Sequence, residues 1–208
     1  MLTHRTLAKI FYQPFPQIIW RMPPAENKIY LTFDDGPYPP VTTPLLDYLA
    51  AQNIPATFFL SGENVFRFRH QITALNYGDH AIGSHSFHHA PMFGLSKKKL
   101  TRELNIADAL IHRYVKRNVR LFRPPYGMFD KRIFPVLQAS GKQMILWSVM
   151  ANDFKWDKPD ILRHLRRSVK PGDIIVFHDS PMTEKVLLPM LAEFVNDCRE
   201  RGWGFGWF

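Results

Sequence analysis

Two adjacent carboxylates, Asp34 and Asp35, stand between the apolar run 29–33 and the turn dipeptide Gly36-Pro37. Like charges this close raise one another's pKa unless a cation intervenes, so the pair asks for a metal ion or an arginine. A solvated Asp-Asp-Gly turn is the plain alternative for the dipeptide taken alone. Further along, His85 and His89 are four apart, a spacing at which one helical turn would place both imidazoles on the same face. Joined by a carboxylate, they make a two-histidine, one-carboxylate set suited to Zn²⁺, or to Co²⁺ or Ni²⁺, with a position left for water and substrate. His88 competes for the role, and surface histidines in a polar loop are the alternative to any metal site.

Arg123, followed by the stiff Pro124-Pro125, offers a fixed cation able to hold a carboxylate ionised and oriented. As an ordinary loop entry the same Arg-Pro-Pro would carry no chemistry. His178 closes another apolar run, 173–177, and reads either as a satisfied core histidine or as a general acid. A carboxylate beside it would raise its pKa as a general acid needs. Asp153 and Asp179 both qualify as that partner.

These residues need elements that deliver them to one place. Successive strand residues point to opposite faces, so both aspartates can serve one site only if the strand ends there, as Gly36-Pro37 permits. Tyr30, Leu31 and Phe33 have the bias of a core strand. Thr43 is placed to cap a helix with Pro44 in its first turn. Further strands are expected over 56–60, 79–83, 119–122, 143–149, 173–177 and 203–208, and helices over 63–77, 130–140, from Pro159, and 183–200. Ser96 is expected to cap a long helix whose Leu100, Leu104, Ala107, Ile111 and Tyr114 recur at three and four. About seven strands alternating with helices argue for an α/β fold whose parallel sheet is closed into a barrel or doubly wound. Asp34, Asp35, His85, His89, Arg123, Asp153 and His178 all follow the C-terminal ends of expected strands. In α/β barrels that face carries the active site.

At 208 residues, 46% apolar and 14% aromatic, the chain suits one folded domain and excludes disorder. Residues 29–208 are expected to form that domain, with 1–28 as an N-terminal segment packing on it. A single cysteine, Cys198, excludes an intrachain disulfide and leaves nothing for a Cys-based metal site. The net charge of +9 admits nucleic acid, an anionic membrane surface or an acidic polymer as partner. However, the lysines at 97–99 and the arginines between 163 and 167 fall in helix-like segments, for which a solvated face is the default. With no Gly-rich phosphate loop and no recognisable nucleic-acid module, no specific nucleic-acid partner is expected, only weak association with anionic surfaces. The apolar stretch 10–20 is broken by Pro14 and Pro16 and followed by Arg21, too short to span a bilayer. It also lacks a signal peptide's continuous apolar core and small-residue cleavage site, so a cytoplasmic location is expected, with periplasmic or membrane-peripheral placement as the alternatives.

Taken in order, Thr32-Phe33-Asp34-Asp35-Gly36-Pro37, His85-Ser86-Phe87-His88-His89, Arg123-Pro124-Pro125-Tyr126-Gly127, the Asp153 loop and Ile175-Val176-Phe177-His178 resemble the five motifs of the polysaccharide deacetylase family. This is the NodB homology domain, carbohydrate esterase family 4. The resemblance runs from about residue 29 to the C-terminus, and the first three motifs together are highly specific. It implies a distorted (β/α) barrel and a hydrolase that removes acetyl groups from an N-acetylated, GlcNAc-containing oligo- or polysaccharide, ahead of O-acetylated xylan. By motif position it implies Asp34 as general base, with Asp35, His85 and His89 as ligands of one divalent metal, Zn²⁺ ahead of Co²⁺ or Ni²⁺. Arg123 would orient Asp34, the backbone N–H of Tyr126 would help bind the oxyanion, and His178 would be the general acid tuned by Asp153. The chain departs from the pattern at Met150 and Phe154, where the fourth motif usually has aspartate and tryptophan. It departs also at Ala90, with Pro91 displaced by one, and at Ile175, where leucine is common. None of these removes an expected ligand, base or acid; they bear on the cleft wall, for which Trp156 is a candidate replacement. The competing function is a catalytically silent carbohydrate-binding domain of the same fold, against which the retention of Asp34 and His178 argues.

Overall fold

The computed structural model describes residue 15 and residues 17–208. Nine strands form one sheet: β1 (Ile18–Ile19), β2 (Lys28–Asp34), β3 (Thr57–Leu60), β4 (Ala81–Ser84), β5 (Leu121–Phe122), β6 (Gln143–Ile145), β7 (Val149–Met150), β8 (Ile174–His178) and β9 (Gly204–Gly206). Their spatial order is β1-β6-β5-β4-β3-β2-β8-β7, with β9 added to the start of β2, and every pairing between them is parallel. At the centre lies β2, buried from Ile29 to Asp34, as a near-continuous apolar run in a sheet covered on both faces requires.

The run expected as one strand over 143–149 is divided. Its first part, β6, pairs with β1 and β5, whereas its second part, β7, pairs with β8, helped by Ser148 N donating to Ile174 O at 3.0 Å. One extended segment thus touches both flanks of the sheet and curls it into a distorted (β/α) barrel. That division, together with β1, accounts for nine strands where about seven were expected. Of the expected N-terminal segment 1–28, residues 1–14 and 16 lie outside the described residues. Within the rest, β1 pairs with β6, Phe15 stacks on Phe134 with ring centroids 5.3 Å apart, and Arg21 Nε donates to Asp173 Oδ1 at 2.9 Å.

Helices α1 (Pro39–Ala51), α2 (Gly62–Arg67), α3 (Lys97–Val115), α4 (Ile133–Ala139), α5 (Lys158–Ser168) and α6 (Leu187–Glu200) connect the strands. Ser96 caps α3 by accepting from Lys99 N at 3.3 Å, and its buried Leu100, Leu104, Ala107 and Ile111 follow the helical period. Two expectations need correction. Helix α1 starts at Pro39 and Pro40, whose fixed φ suits a first turn, so Thr43 caps nothing and Pro44 lies inside the helix. The helix expected over 63–77 stops at Arg67, because Leu75 and Tyr77 are both buried two residues apart, which extended chain satisfies and a helix does not. In α5 the cap is Asp157, accepting from Asp160 N at 3.1 Å, and Pro159 occupies the first turn. Among the described residues no helix is long and apolar enough to cross a membrane.

Strand alternation sorts the core into two clusters. Leu31, Phe33, Ile175 and Phe177 pack outward beneath the helices, while Tyr30, Phe59, Ile174 and Val176 belong to the other cluster with Phe122, Met144 and Trp147. By the period of two, Thr32 and Asp34 share the face of Tyr30, and His178 shares that of Ile174 and Val176. Asp34 and His178 are moreover register partners across β2 and β8. The scaffold therefore brings a buried acid and a histidine side by side on one face, at the C-terminal end of adjacent strands.

Candidate active site

Asp34 is the last residue of β2, and Asp35 follows it with φ +77. That left-handed backbone breaks the strand alternation, which is how neighbouring carboxylates come to face one site. Ser86, His89 and Tyr126 also have positive φ, of 63, 50 and 59. Non-glycine residues in this region cost about 1–3 kcal/mol each and persist where the surroundings enforce them. His85 and His89 accordingly do not share a helical turn: they lie on an irregular loop after β4, and left-handed Ser86 and His89 bring their rings to 5.0 Å between centroids. His88 turns away. Its Nδ1 sits 2.7 Å from Glu103 Oε1 and its backbone N donates to Glu103 Oε2 at 3.0 Å, as does Phe87 N at 3.2 Å.

Asp35 Oδ1, His85 Nε2 and His89 Nε2 converge, with 3.7 Å from the oxygen to His85 Nε2 and 2.9 Å to His89 Nε2. His85 Nδ1 lies 2.8 Å from the carbonyl oxygen of Arg123, an acceptor only, so Nδ1 carries the hydrogen and the lone pair of Nε2 faces the carboxylates. Burial disfavours the charged form of His85 and lowers its pKa against the pull of Asp34 and Asp35. Burial would also raise the Asp35 pKa, but contact with His89 and the fields of His85, His89 and His178 lower it to about 2. Asp35 Oδ1 is buried and, beyond its 2.9 Å contact with His89 Nε2, has no hydrogen-bond partner. An orphaned carboxylate oxygen beside a histidine lone pair is a poor arrangement on its own and a good one around a divalent cation. The donor set therefore fits a metal ion held by one oxygen and two nitrogens.

Asp34 is held differently. Arg123 Nη1 donates to its Oδ1 at 2.6 Å and to Thr32 Oγ1 at 2.8 Å, while Nε and Nη2 donate to Ile145 O at 3.2 Å and Leu146 O at 3.0 Å. Among the described residues Arg123 is the largest fully buried side chain, with its guanidinium 4.1 Å from the Phe59 ring centroid. Filling the seam between β6 and β7, it satisfies two carbonyls there and anchors the carboxylate with what remains of its fork.

Across from Asp34, His178 Nδ1 lies 2.8 Å from Asp153 Oδ1, and its backbone N donates to Asp153 Oδ2 at 2.8 Å. Burial opposes its positive charge, but the hydrogen bond and charge of Asp153, with the fields of Asp34 and Asp35, outweigh it and raise the pKa to about 9. Of the two rival partners, Asp153 is thus the one in contact. Asp179 instead accepts from Gly36 N at 3.1 Å and Thr42 Oγ1 at 2.5 Å.

Two aromatic rings border the site. Tyr126, 61% exposed, lies 4.7 Å from the His89 ring centroid, and Phe154 meets His178 edge-on at 5.1 Å. Trp156, the candidate for the cleft wall, packs its ring edge-on against His164 at 5.3 Å. Glu103 and Asn64, whose Nδ2 donates to Asp35 O at 2.7 Å, were not legible as site residues, since each acts on backbone brought from a distant part of the chain. Asp179 was legible as a rival partner for His178, not as a residue that holds the turn at Gly36.

Comparisons with known proteins point to one family. A Bacillus cereus peptidoglycan-N-acetylglucosamine deacetylase is 30% identical over 196 residues, which cover 93% of this chain and 92% of that protein. A solved peptidoglycan N-acetylglucosamine deacetylase shares the fold with a TM-score of 0.89 at 23% identity, covering 97% of this chain and 95% of the other. A mutant of a Bacillus anthracis carbohydrate esterase family 4 pseudoenzyme, with restored enzymatic activity, superposes with a TM-score of 0.83 at 26% identity over 91% of this chain and 68% of that one. The polysaccharide deacetylase family profile matches residues 21–145, more than half of the chain, and the chain belongs to that family.

Proposed function

We propose that this chain is a metal-dependent deacetylase of an N-acetylated, GlcNAc-containing oligo- or polysaccharide. The observation that carries the reading is the division of the aspartate pair. Asp34 is bound to a buried arginine, whereas Asp35 presents an orphaned oxygen to two histidine nitrogens. Asp35, His85 and His89 would hold one divalent cation, Zn²⁺ by the donor set, with Co²⁺ and Ni²⁺ as substitutes. Bound there, such a cation supplies Lewis-acid polarisation of the acetyl carbonyl and acidification of water.

The chain's own groups do the rest. Arg123 holds Asp34 through Oδ1, so its Oδ2 is the oxygen that accepts a proton from the water that attacks the acetyl carbon. Negative charge building on the acetyl oxygen meets the backbone N–H of Tyr126. His178, protonated at neutral pH through Asp153, gives its proton to the sugar nitrogen as the C–N bond breaks. Acetate and the free amine leave; Asp34 then returns its proton to solvent, and His178 regains one. Asp153 and Arg123 act in this as positioning residues. A GlcNAc-type amide is favoured over an acetyl ester by the name of the B. cereus relative.

A second reading, a silent carbohydrate-binding domain, is prompted by the pseudoenzyme among the structural neighbours. Acetate release from short chitooligosaccharides decides between them, using protein stripped with chelator and reloaded with Zn²⁺ or Co²⁺. Release that returns with metal and is absent from Asp34→Asn supports the enzyme. Stoichiometric metal without release from these, from peptidoglycan fragments or from acetylxylan would favour the silent domain.

A further inference from the structure

Four backbone polar groups of the loop 34–36 are held by residues outside it. Asp179 N donates to Asp34 O at 3.1 Å, and the Asp179 side chain accepts from Gly36 N at 3.1 Å. Between these two bonds, Asn64 Nδ2 donates to Asp35 O at 2.7 Å, and Ser61 N donates to Gly36 O at 2.8 Å. Asp35, with its φ of +77, sits in the middle of the clamp.

The Asp179 carboxyl group is fully buried, and it is Asp153 that meets the His178 imidazole. Its other oxygen is 2.5 Å from Thr42 Oγ1, and Thr42 Oγ1 in turn accepts from Tyr38 N at 2.9 Å. The fit around it is tight: a Cβ placed on Gly36 would lie 2.1 Å from Asp179 Oδ2. A glycine is therefore required beside Asp35 for the carboxyl group to reach the turn. Burial and the charge of Asp35 raise the Asp179 pKa to about 8, against the hydrogen bonds from Thr42 and Gly36, so this side chain does not serve as a free base at neutral pH.

We infer that Asp179 and Asn64 are positioning residues that lock the Asp35 backbone in its left-handed turn, so that one aspartate of the pair is delivered to the metal and the other to the water. The inference rests on the metal reading proposed above. Without the clamp, Asp35 would relax toward extended backbone and point away from the face of Asp34, as strand alternation dictates. The histidines would then lack their carboxylate partner. Residues that orient metal ligands in this way typically change metal affinity by about 10–100-fold when removed.

The test compares wild type with Asp179→Ala, Asp179→Asn and Asn64→Ala. Zn²⁺ affinity is measured by competition with a chromophoric chelator, folding by circular dichroism, and coordination by the visible spectrum of the Co²⁺ form. Asp179→Ala and Asn64→Ala should stay folded, bind Zn²⁺ about 10–100-fold more weakly and show an altered Co²⁺ spectrum. Asp179→Asn, which keeps an acceptor for Gly36 N–H, should recover most of the affinity. Folded Asp179→Ala and Asn64→Ala with wild-type affinity and spectrum would overturn the clamp while leaving the metal reading intact. Should Asp179→Ala not fold, half-buried Asn64→Ala decides alone by the same criterion. Wild-type protein that binds no Zn²⁺, or binds it equally well as His85→Ala, would overturn the metal reading and the clamp with it.

Discussion

Asp34 and His178 are opposite one another in register across β2 and β8, each the last residue of its strand. Two parallel strands thus set the proposed proton acceptor against the proposed proton donor. What the loops add is a third party on one side: Asp35, His85 and His89 gather beside Asp34, and Asp153 rises behind His178. Rigid strand ends fix the Asp34–His178 pair, while strained loop backbone fixes the Asp35–His85–His89 group.

The division of the aspartate pair predicts separable losses. Asp34→Asn should bind Zn²⁺ as wild type does and lose turnover by about 10²–10⁴-fold, the usual worth of a positioned base. His85→Ala and His89→Ala should lose metal and turnover together. Metal content by atomic absorption, beside acetate release, distinguishes the two classes. Retention of metal by Asp35→Asn with loss of metal by Asp34→Asn would reverse the assignment.

The His178–Asp153 pair predicts a pH dependence with a definite sign. The folded-state pKa of His178 is raised to about 9, above the ordinary value of about 6.5 for an unfolded chain. Its contribution to stability is therefore complete below about 6.5 and is lost as pH rises through about 9. Catalysis that needs the protonated ring should fall on the same alkaline limb, moved downward by any cation bound nearby. Asp153→Asn keeps an acceptor but removes the charge, so both limbs should move toward neutral pH. Rate profiles and urea melts between pH 5 and 10 (roughly the span in which a histidine titrates when perturbed) would show it; an unmoved alkaline limb would remove Asp153 from its role.

Arg123 predicts a loss of stability that a double substitution partly repairs. Arg123→Ala strands the buried Asp34 carboxylate and two strand carbonyls, a loss of about 3–5 kcal/mol for breaking a buried pair. Arg123→Lys should recover little, because an ammonium lacks the planar fork that reaches Ile145 O, Leu146 O and Asp34 together. Removing the charge as well, in Arg123→Ala with Asp34→Ala, should cost less than the sum of the single substitutions. A urea-denaturation cycle at pH 7 (about neutrality, where aspartate is ionised) measures that coupling, and strict additivity would refute it.

How far the sequence carried these conclusions depends on the range of each interaction. The alternation of apolar runs and turn residues located β2, β3, β4 and β8, because a buried parallel strand must read as continuous hydrophobicity. The polar residues after those runs located the site. Where the expectation slipped, the deciding contact came from elsewhere in the chain: residues 143–150 divide into β6 and β7 because β5 and β8 compete for them. His85 and His89 looked helical by spacing, yet the φ of Ser86, invisible in a residue type with no preference for it, brings them together. The partner of His178 was ambiguous for the same reason, since Asp153 and Asp179 differ only in which loop carries them. Asp179 is drawn to Gly36 and Thr42, and Asp153 is left for the imidazole.

Glu103 carries the last prediction. It projects from α3, 15% exposed, and accepts from the backbone N–H of Phe87 and of His88, with His88 Nδ1 beside its other oxygen. No other described side chain accepts from those two amides; the carbonyls of the same loop are held by backbone, Gly62 N donating to Ser86 O at 2.9 Å and Glu63 N to Phe87 O at 3.0 Å. Glu103→Gln retains an acceptor for the amides and should bind Zn²⁺ nearly as wild type does. Glu103→Ala leaves both N–H groups to solvent and frees His89 to move away from Asp35, so Zn²⁺ affinity should fall by about 10-fold or more. The helix itself should survive, because its cap at Ser96 and its buried stripe from Leu100 to Ile111 do not involve this residue. Chelator competition on both variants, with the thermal midpoint as a control for folding, separates the two effects. Equal affinity in Glu103→Ala and wild type would mean that the histidine loop keeps its shape through its own backbone, and Glu103 would be no more than a surface acid.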